Sequence, residues 1–115
     1  MGIDSGTQFE ASDMAATTTI RTLDDIRRLR PQIMELARQY RARKVSVFGS
    51  CARGEMSEDS DIDFLVDFND NYRLLDIAGM MNGLEDLLGR KVDVVPRSAL
   101  REELKPYVLK EVQPL

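Results

Sequence analysis

Two short motifs lie close together in the middle of the chain, and each suits one half of a phosphate chemistry. Gly49 and Ser50 form a turn directly after an apolar stretch, and Asp61 and Asp63 follow, separated by one residue. Backbone N–H groups at such a turn can hold phosphate oxygens. Two carboxylates on one face of a strand are suitable ligands for Mg²⁺. Together the motifs indicate phosphoryl or nucleotidyl transfer.

Asp93 offers a third carboxylate to this predicted site. It lies in a later apolar stretch, at the strand phase that places its side chain on the same side as Asp61 and Asp63. Clustered carboxylates repel one another, so a cluster of this kind is costly without cations. We predict that these three acids bind two Mg²⁺ ions about 3.5–4 Å apart and are the catalytic residues. Arg53 could pair with phosphate oxygens or be an ordinary surface residue.

The composition limits the kinds of site that the chain can build. Its 115 residues include one cysteine, Cys51, and no histidine. An internal disulfide, the usual zinc sites and histidine-based acid–base catalysis are therefore excluded. A single cysteine fits a reducing compartment, and no apolar run has the length of a membrane helix, so we expect a cytoplasmic protein. Cys51 itself is expected to be a small buried filler.

Charge and composition divide the chain into regions. Residues 1–20 are rich in Ser, Thr, Ala and Gly and are expected to be a disordered tail, whereas 21–115 are expected to form one small domain. The basic residues concentrate in 21–44, which indicates either a solvated helix face or a surface for an acidic partner or RNA. The rest of the domain is acidic, and an acidic cleft argues against binding a nucleic-acid backbone there.

Three predicted strands carry the motifs. They cover residues 45–48 before the Gly-Ser turn, 61–68 with Asp61 and Asp63, and 91–95 with Asp93. A predicted helix over 74–88 joins the second and third strands, which indicates a parallel pair, while the pairing of the first two strands is left open. We expect a small mixed sheet of the α/β (α+β) class with its helices packed on one face. The acidic face would then be the floor of a cleft.

Helix signals flank these strands. Thr22 and Asp25 form an approximate capping box at the start of the first helix. Pro31 either kinks that helix or begins a second one. A last helix is predicted from Ser98, with a kink at Pro106.

Three segments resemble the minimal nucleotidyltransferases of the DNA polymerase beta superfamily: 47–54 (VFGSCARG), 60–63 (SDID) and 92–95 (VDVV). The resemblance implies a polymerase-beta-like nucleotidyltransferase fold for most of the chain after the tail. It also implies a role for each motif. The Gly-Ser turn would hold the β- and γ-phosphates of ATP, the first two aspartates would hold the metals, and Asp93 would assist deprotonation of the acceptor.

In that family the isolated small domain is typically the antitoxin of a pair with a HEPN-domain ribonuclease toxin. Better-understood members resemble adenylyltransferases that move AMP from ATP to a tyrosine of the toxin. The resemblance therefore implies a Mg²⁺- and ATP-dependent enzyme with a HEPN partner. At most one helix follows Val95, so the base pocket and the acceptor site would either be shallow or be completed by a partner or a second copy of the chain.

Two other functions fit the same residues. The domain could be a non-catalytic antitoxin that neutralises its partner by stoichiometric complex formation. It could also transfer a nucleotide to a small molecule.

Overall fold

The computed structural model describes residues 20–115, which contain five helices and four strands. The helices are α1 (Leu23–Arg28), α2 (Arg30–Gln39), α3 (Ser50–Arg53), α4 (Leu74–Leu88) and α5 (Lys105–Glu111). The strands are β1 (Ala42–Phe48), β2 (Ile62–Phe68), β3 (Val92–Pro96) and β4 (Gln113–Pro114), and Arg97–Ala99 form a short 3₁₀ turn after β3.

The four strands form one mixed sheet in the order β3–β2–β1–β4. β2 is parallel to β3, as the crossover helix α4 requires, and β1 is antiparallel to both β2 and β4. The register pairs Asp63 with Phe48 on one side and with Asp93 on the other. The predicted α/β class and mixed sheet are therefore confirmed, and the sheet brings all three predicted motifs to one end.

The core lies on one face of the sheet, because alternate residues of β2 point there. Ile62, Phe64, Val66 and Phe68 are all buried against apolar side chains of the helices. Leu65 points the opposite way and is also buried, at 4% exposure, although it is outside the core cluster. The second face of the sheet is therefore covered at Leu65, and it is not an open acidic floor along its whole length.

The N-terminal helices follow the sequence signals. Thr22 caps α1 and forms a capping box with Asp25, as predicted. α1 ends at Arg28 and α2 begins at Arg30, so the second of the two alternatives for Pro31 is the right one. Proline is tolerated in the first turn of α2 because the N–H that it lacks would have no partner within the helix there.

The C-terminal segment differs from its prediction. No helix begins at Ser98; α5 starts only at Lys105, and Pro106 stands in its first turn instead of causing a kink. After α5 the chain adds β4, which was not predicted and which pairs with β1. Arg27 and Arg30 donate hydrogen bonds to the main-chain oxygens of the last two residues at 3.0 and 2.8 Å. Two residues of the basic stretch thus anchor the C-terminal segment.

The described part of the chain begins with a core residue. Ile20, which was assigned to the tail, is only 2% exposed and belongs to the core because its side chain is apolar and reaches the packed helices. Residues 1–19 lie outside the described part of the chain, so the disordered tail stays a prediction for them. Within residues 20–115 no helix is both long and apolar enough to cross a membrane.

Candidate active site

The Gly-Ser turn connects β1 to α3 and lies directly beside Asp63. Gly49 has φ +76° and ψ −153°, a backbone conformation that essentially only glycine adopts. A Cβ atom at this position would collide with the Asp63 carboxylate. Glycine is therefore required by the backbone conformation, and a side chain at this position would also displace the Asp63 carboxylate. Ser50 then begins α3.

The three predicted acids meet at the same end of the sheet. Asp63 and Asp93 are register partners on neighbouring parallel strands, and Asp61 immediately precedes β2. Burial raises the pKa of Asp63 above its usual value, and the negative charges of Asp93, Asp61 and Glu111 raise that pKa further. Arg53 acts in the opposite direction. Asp63 thus lies in the electrostatic field of the other two acids and of Glu111.

A divalent metal ion fits the chemistry of these residues. Their hard carboxylate oxygens are the ligands that Mg²⁺ prefers, and a cation would relieve the repulsion that raises the pKa of Asp63. The positions of the side chains do not yet form a metal site, because within residues 20–115 no three His, Cys, Asp or Glu side chains are grouped closely enough to hold one ion. The joint coordination of a metal by Asp61, Asp63 and Asp93 therefore stays a prediction.

Arg53 and Glu111 form a second charged group at the turn. The Arg53 guanidinium donates to Glu55 at 3.0 Å and to Glu111 at 2.9 Å. The other carboxylate oxygen of Glu111 accepts the N–H of Gly49 at 2.8 Å. Sequence reasoning identified Arg53 but missed Glu111. No local motif marks Glu111, since its position depends on β4 returning the C-terminal segment to β1.

Arg90 holds the loop that leads into the Asp61 motif, and sequence reasoning missed this residue too. Its guanidinium donates to four main-chain carbonyl oxygens at 2.6–3.1 Å: those of Ile20, Ser57, Glu58 and Ser60. A planar guanidinium has several donors in a fixed geometry, which suits it to this task. Arg90 therefore fixes where the chain enters β2, and hence where Asp61 lies.

Two further residues have structural roles. Cys51 is 2% exposed, and burial raises the pKa of its thiol, so the prediction of a buried filler is confirmed. Asp67, near the far end of β2, has a basic partner. It is only partly exposed and pairs with Arg43 on the adjacent strand β1 at 3.3 Å, because the antiparallel pairing brings the two side chains together.

Residues 26–114 match the model of the nucleotidyltransferase domain family. The chain belongs to that family. The resemblance to minimal nucleotidyltransferases, which rested on three short segments, is thereby confirmed over most of the chain, and the protein is an enzyme of the nucleotidyltransferase class.

Individual relatives support the same assignment. The nucleotidyltransferase is 45% identical to protein adenylyltransferase MntA of Thermococcus cleftensis over 78 residues, which are 68% of this chain and 79% of the relative. A solved structure provisionally named a minimal nucleotidyltransferase is 44% identical, with a TM-score of 0.74 over 82% of this chain and 96% of its own. The fold also resembles that of one chain in a complex described as a tri-AMPylated Shewanella oneidensis HEPN toxin with an MNT antitoxin. That match has 20% identity and a TM-score of 0.58, and covers 76% of this chain and 69% of the other.

Proposed function

We propose that this nucleotidyltransferase transfers AMP from ATP to a tyrosine hydroxyl of a HEPN-domain toxin and thereby acts as the antitoxin. The observation that carries the proposal is the close approach of the Gly49 turn to Asp63, at the end of the sheet where Asp63 pairs in register with Asp93. The activity named for the Thermococcus relative supports AMP as the transferred group. The composition of the Shewanella complex supports a HEPN protein as the acceptor.

The reaction assigns a distinct task to each group of residues. The main-chain N–H groups of Gly49 and Ser50 would hold the β- and γ-phosphates, and Arg53 would pair with their oxygens. The acceptor oxygen attacks the α-phosphorus of ATP. The bond between the α-phosphorus and the oxygen that bridges it to the β-phosphorus breaks, and pyrophosphate leaves. Asp93 would accept the proton of the acceptor hydroxyl.

The acidic residues would also supply the metal site. Asp61, Asp63 and Asp93 would hold Mg²⁺, which when bound neutralises phosphate charge and lowers the pKa of the acceptor hydroxyl. Two features of Asp63 support this role. It forms no ion pair within residues 20–115, and its carboxylate lies next to Gly49.

A second candidate function is capture of the partner without catalysis. The side chains of Leu74 and Leu75 at the start of α4 are 83% and 81% exposed, and Tyr107 on α5 is 73% exposed. Large exposed apolar side chains favour an interaction surface. Such a surface is also compatible with catalysis, since a partner or a second copy could complete the acceptor site.

The two functions are separated by the intact mass of the partner. Purified HEPN protein would be incubated with the enzyme, ATP and MgCl₂, and then weighed by mass spectrometry. We expect the mass of one or more AMP groups to be added by the wild-type enzyme, and none by Asp61→Asn. An unmodified HEPN protein in a tight complex would instead support capture. Labelling by Asp61→Asn at the wild-type rate would show that the metal assignment is wrong.

A further inference from the structure

The end of α5 reaches into the site that the proposed function assigns to the triphosphate. Glu111 is the last residue of this helix, and its side chain is 26% exposed. One of its carboxylate oxygens accepts the Gly49 N–H at 2.8 Å, and the other accepts from Arg53 at 2.9 Å. A single carboxylate thus engages the main-chain donor and the cationic side chain of the turn at the same time.

These are the donors that a phosphate group would use. Carboxylates and phosphates are both recognised through charge-assisted hydrogen bonds from guanidinium and main-chain N–H groups. Two anions cannot share the same Gly49 N–H and the same face of Arg53. The negative charge of Glu111 also contributes to raising the pKa of Asp63, which shows that Glu111 lies close to the acidic group.

We propose that Glu111 is an intramolecular competitor of the nucleotide: its carboxylate occupies the phosphate-binding turn in the free enzyme and must leave before ATP binds. This inference rests on the proposed function, because it takes the turn to be the triphosphate site. The apparent affinity for ATP is then the intrinsic affinity reduced by the fraction of molecules in which Glu111 has left the turn.

The structure provides both a weakly packed helix and an anchor for this movement. None of the residues of α5 is buried, so few packing contacts resist a shift of the helix end. The segment that follows is held by β4, which pairs with Ser46 and Val47 of β1, and by the hydrogen bonds from Arg27 and Arg30. Glu111 can therefore leave the turn while the C-terminal strand stays in place, and it returns when the site empties.

The test compares nucleotide binding by the full chain and two single variants. Isothermal titration with a non-hydrolysable ATP analogue and MgCl₂ would be run on the wild type, Glu111→Gln and Glu55→Gln. Glu55 is the matched control, because it also pairs with Arg53 and makes no hydrogen bond to Gly49 among the described residues. We expect Glu111→Gln to bind about tenfold more tightly and Glu55→Gln to stay within about twofold of the wild type.

Each outcome has a defined meaning. Equal or weaker binding by Glu111→Gln overturns the inference and leaves the proposed function standing. Absence of binding by all three proteins overturns the proposed function, and the inference with it. Amide hydrogen exchange gives a second measurement on the unmodified enzyme: addition of the analogue should accelerate exchange in 105–111, and unchanged exchange there would contradict the displacement of Glu111.

Discussion

The two ends of β2 carry the same residue in opposite electrostatic situations. Asp63 and Asp67 are four residues apart on one strand, both are partly exposed, and both point away from the core. Asp67 pairs with Arg43 at 3.3 Å. Asp63 has no ion pair within residues 20–115, and burial together with the charges of neighbouring acids raises its pKa.

This difference supports our proposal that Asp63 is a functional acid, whereas Asp67 is a structural one. At the Asp67 end the protein neutralises the charge itself, so the ion pair belongs to the folded sheet. At the Asp63 end the folded protein tolerates repulsion, which is unfavourable unless a cation binds there. Perturbed ionisable groups of this kind concentrate at functional sites. Identical substitutions at the two positions should therefore have unlike consequences.

The largest expected effect concerns the rate of AMP transfer. Asp63→Asn should reduce the initial rate by about 1,000-fold or more, because loss of a metal ligand removes several kcal/mol of transition-state stabilisation. Asp67→Asn should stay within about twofold of the wild type. The measurement is incorporation of radiolabelled AMP into the HEPN partner. Equal losses of AMP transfer in the two variants would show that the difference in charge environment between Asp63 and Asp67 does not matter for activity.

The two glycines that flank α3 test the geometry of the turn. Gly49 and Gly54 both have φ +76°, but only at Gly49 would a Cβ collide with Asp63, whereas at Gly54 it would meet nothing within 4 Å. Gly49→Ala should therefore lower AMP transfer about 100-fold and also reduce stability. Gly54→Ala should cost only about 1–2 kcal/mol of stability from its left-handed backbone and keep most of the activity. Full activity in Gly49→Ala would contradict the close approach that we describe.

Metal binding should distinguish the two ends without any catalysis. At concentrations several-fold above its dissociation constant, Mg²⁺ should stabilise the wild type and Asp67→Asn by about 1 kcal/mol. The same addition should not stabilise Asp63→Asn. Differential scanning fluorimetry with MgCl₂, and with NaCl at matched ionic strength as the control, would measure this. Equal stabilisation of all three proteins would place the metal elsewhere.

The smallest expected effects are on stability in the absence of metal, and they should have opposite signs. Asp63→Asn should raise the free energy of unfolding because it removes a charge that the folded state disfavours. Asp67→Asn should lower it by at most about 1 kcal/mol, as is usual for an exposed ion pair. Urea unfolding without divalent ions measures both. A destabilised Asp63→Asn would mean that its carboxylate is satisfied by contacts of the fold.

Acid should reduce the stability difference between Asp63→Asn and the wild type. The pKa of Asp63 is raised in the folded state, so the ionised carboxylate penalises folding at neutral pH. As the pH falls through that raised pKa, the folded wild type takes up a proton and the penalty disappears. Urea unfolding of both proteins over a pH series would detect this, and a difference that does not change with pH would contradict the assignment.

The site motifs could be predicted because their signals are local. The Gly49-Ser50 turn and Asp61-x-Asp63 are short patterns, and the period of a strand was enough to place Asp93 on the same side. The long crossover helix α4 was predicted with its observed bounds, since its apolar period and the following Gly89 are both local.

What could not be predicted depends on contacts between distant parts of the chain. The pairing of Asp67 with Arg43 requires the antiparallel register of β1 and β2, which the sequence left open. Glu111 reaches Gly49 only because β4 pairs with β1, and a two-residue strand has no periodicity to detect. The apolar spacing after Ser98 suggested a continuous helix, whereas the chain turns at Arg97–Ala99 and restarts its helix at Lys105.

The most direct test of the account is a crystal structure of the enzyme with Mn²⁺ and a non-hydrolysable ATP analogue. Mn²⁺ replaces Mg²⁺ here because its anomalous scattering locates it. We expect anomalous density at the carboxylates of Asp61 and Asp63, phosphate oxygens on the N–H groups of Gly49 and Ser50, and a Glu111 side chain displaced from the turn. Manganese and triphosphate bound away from Asp63 and the turn would contradict it.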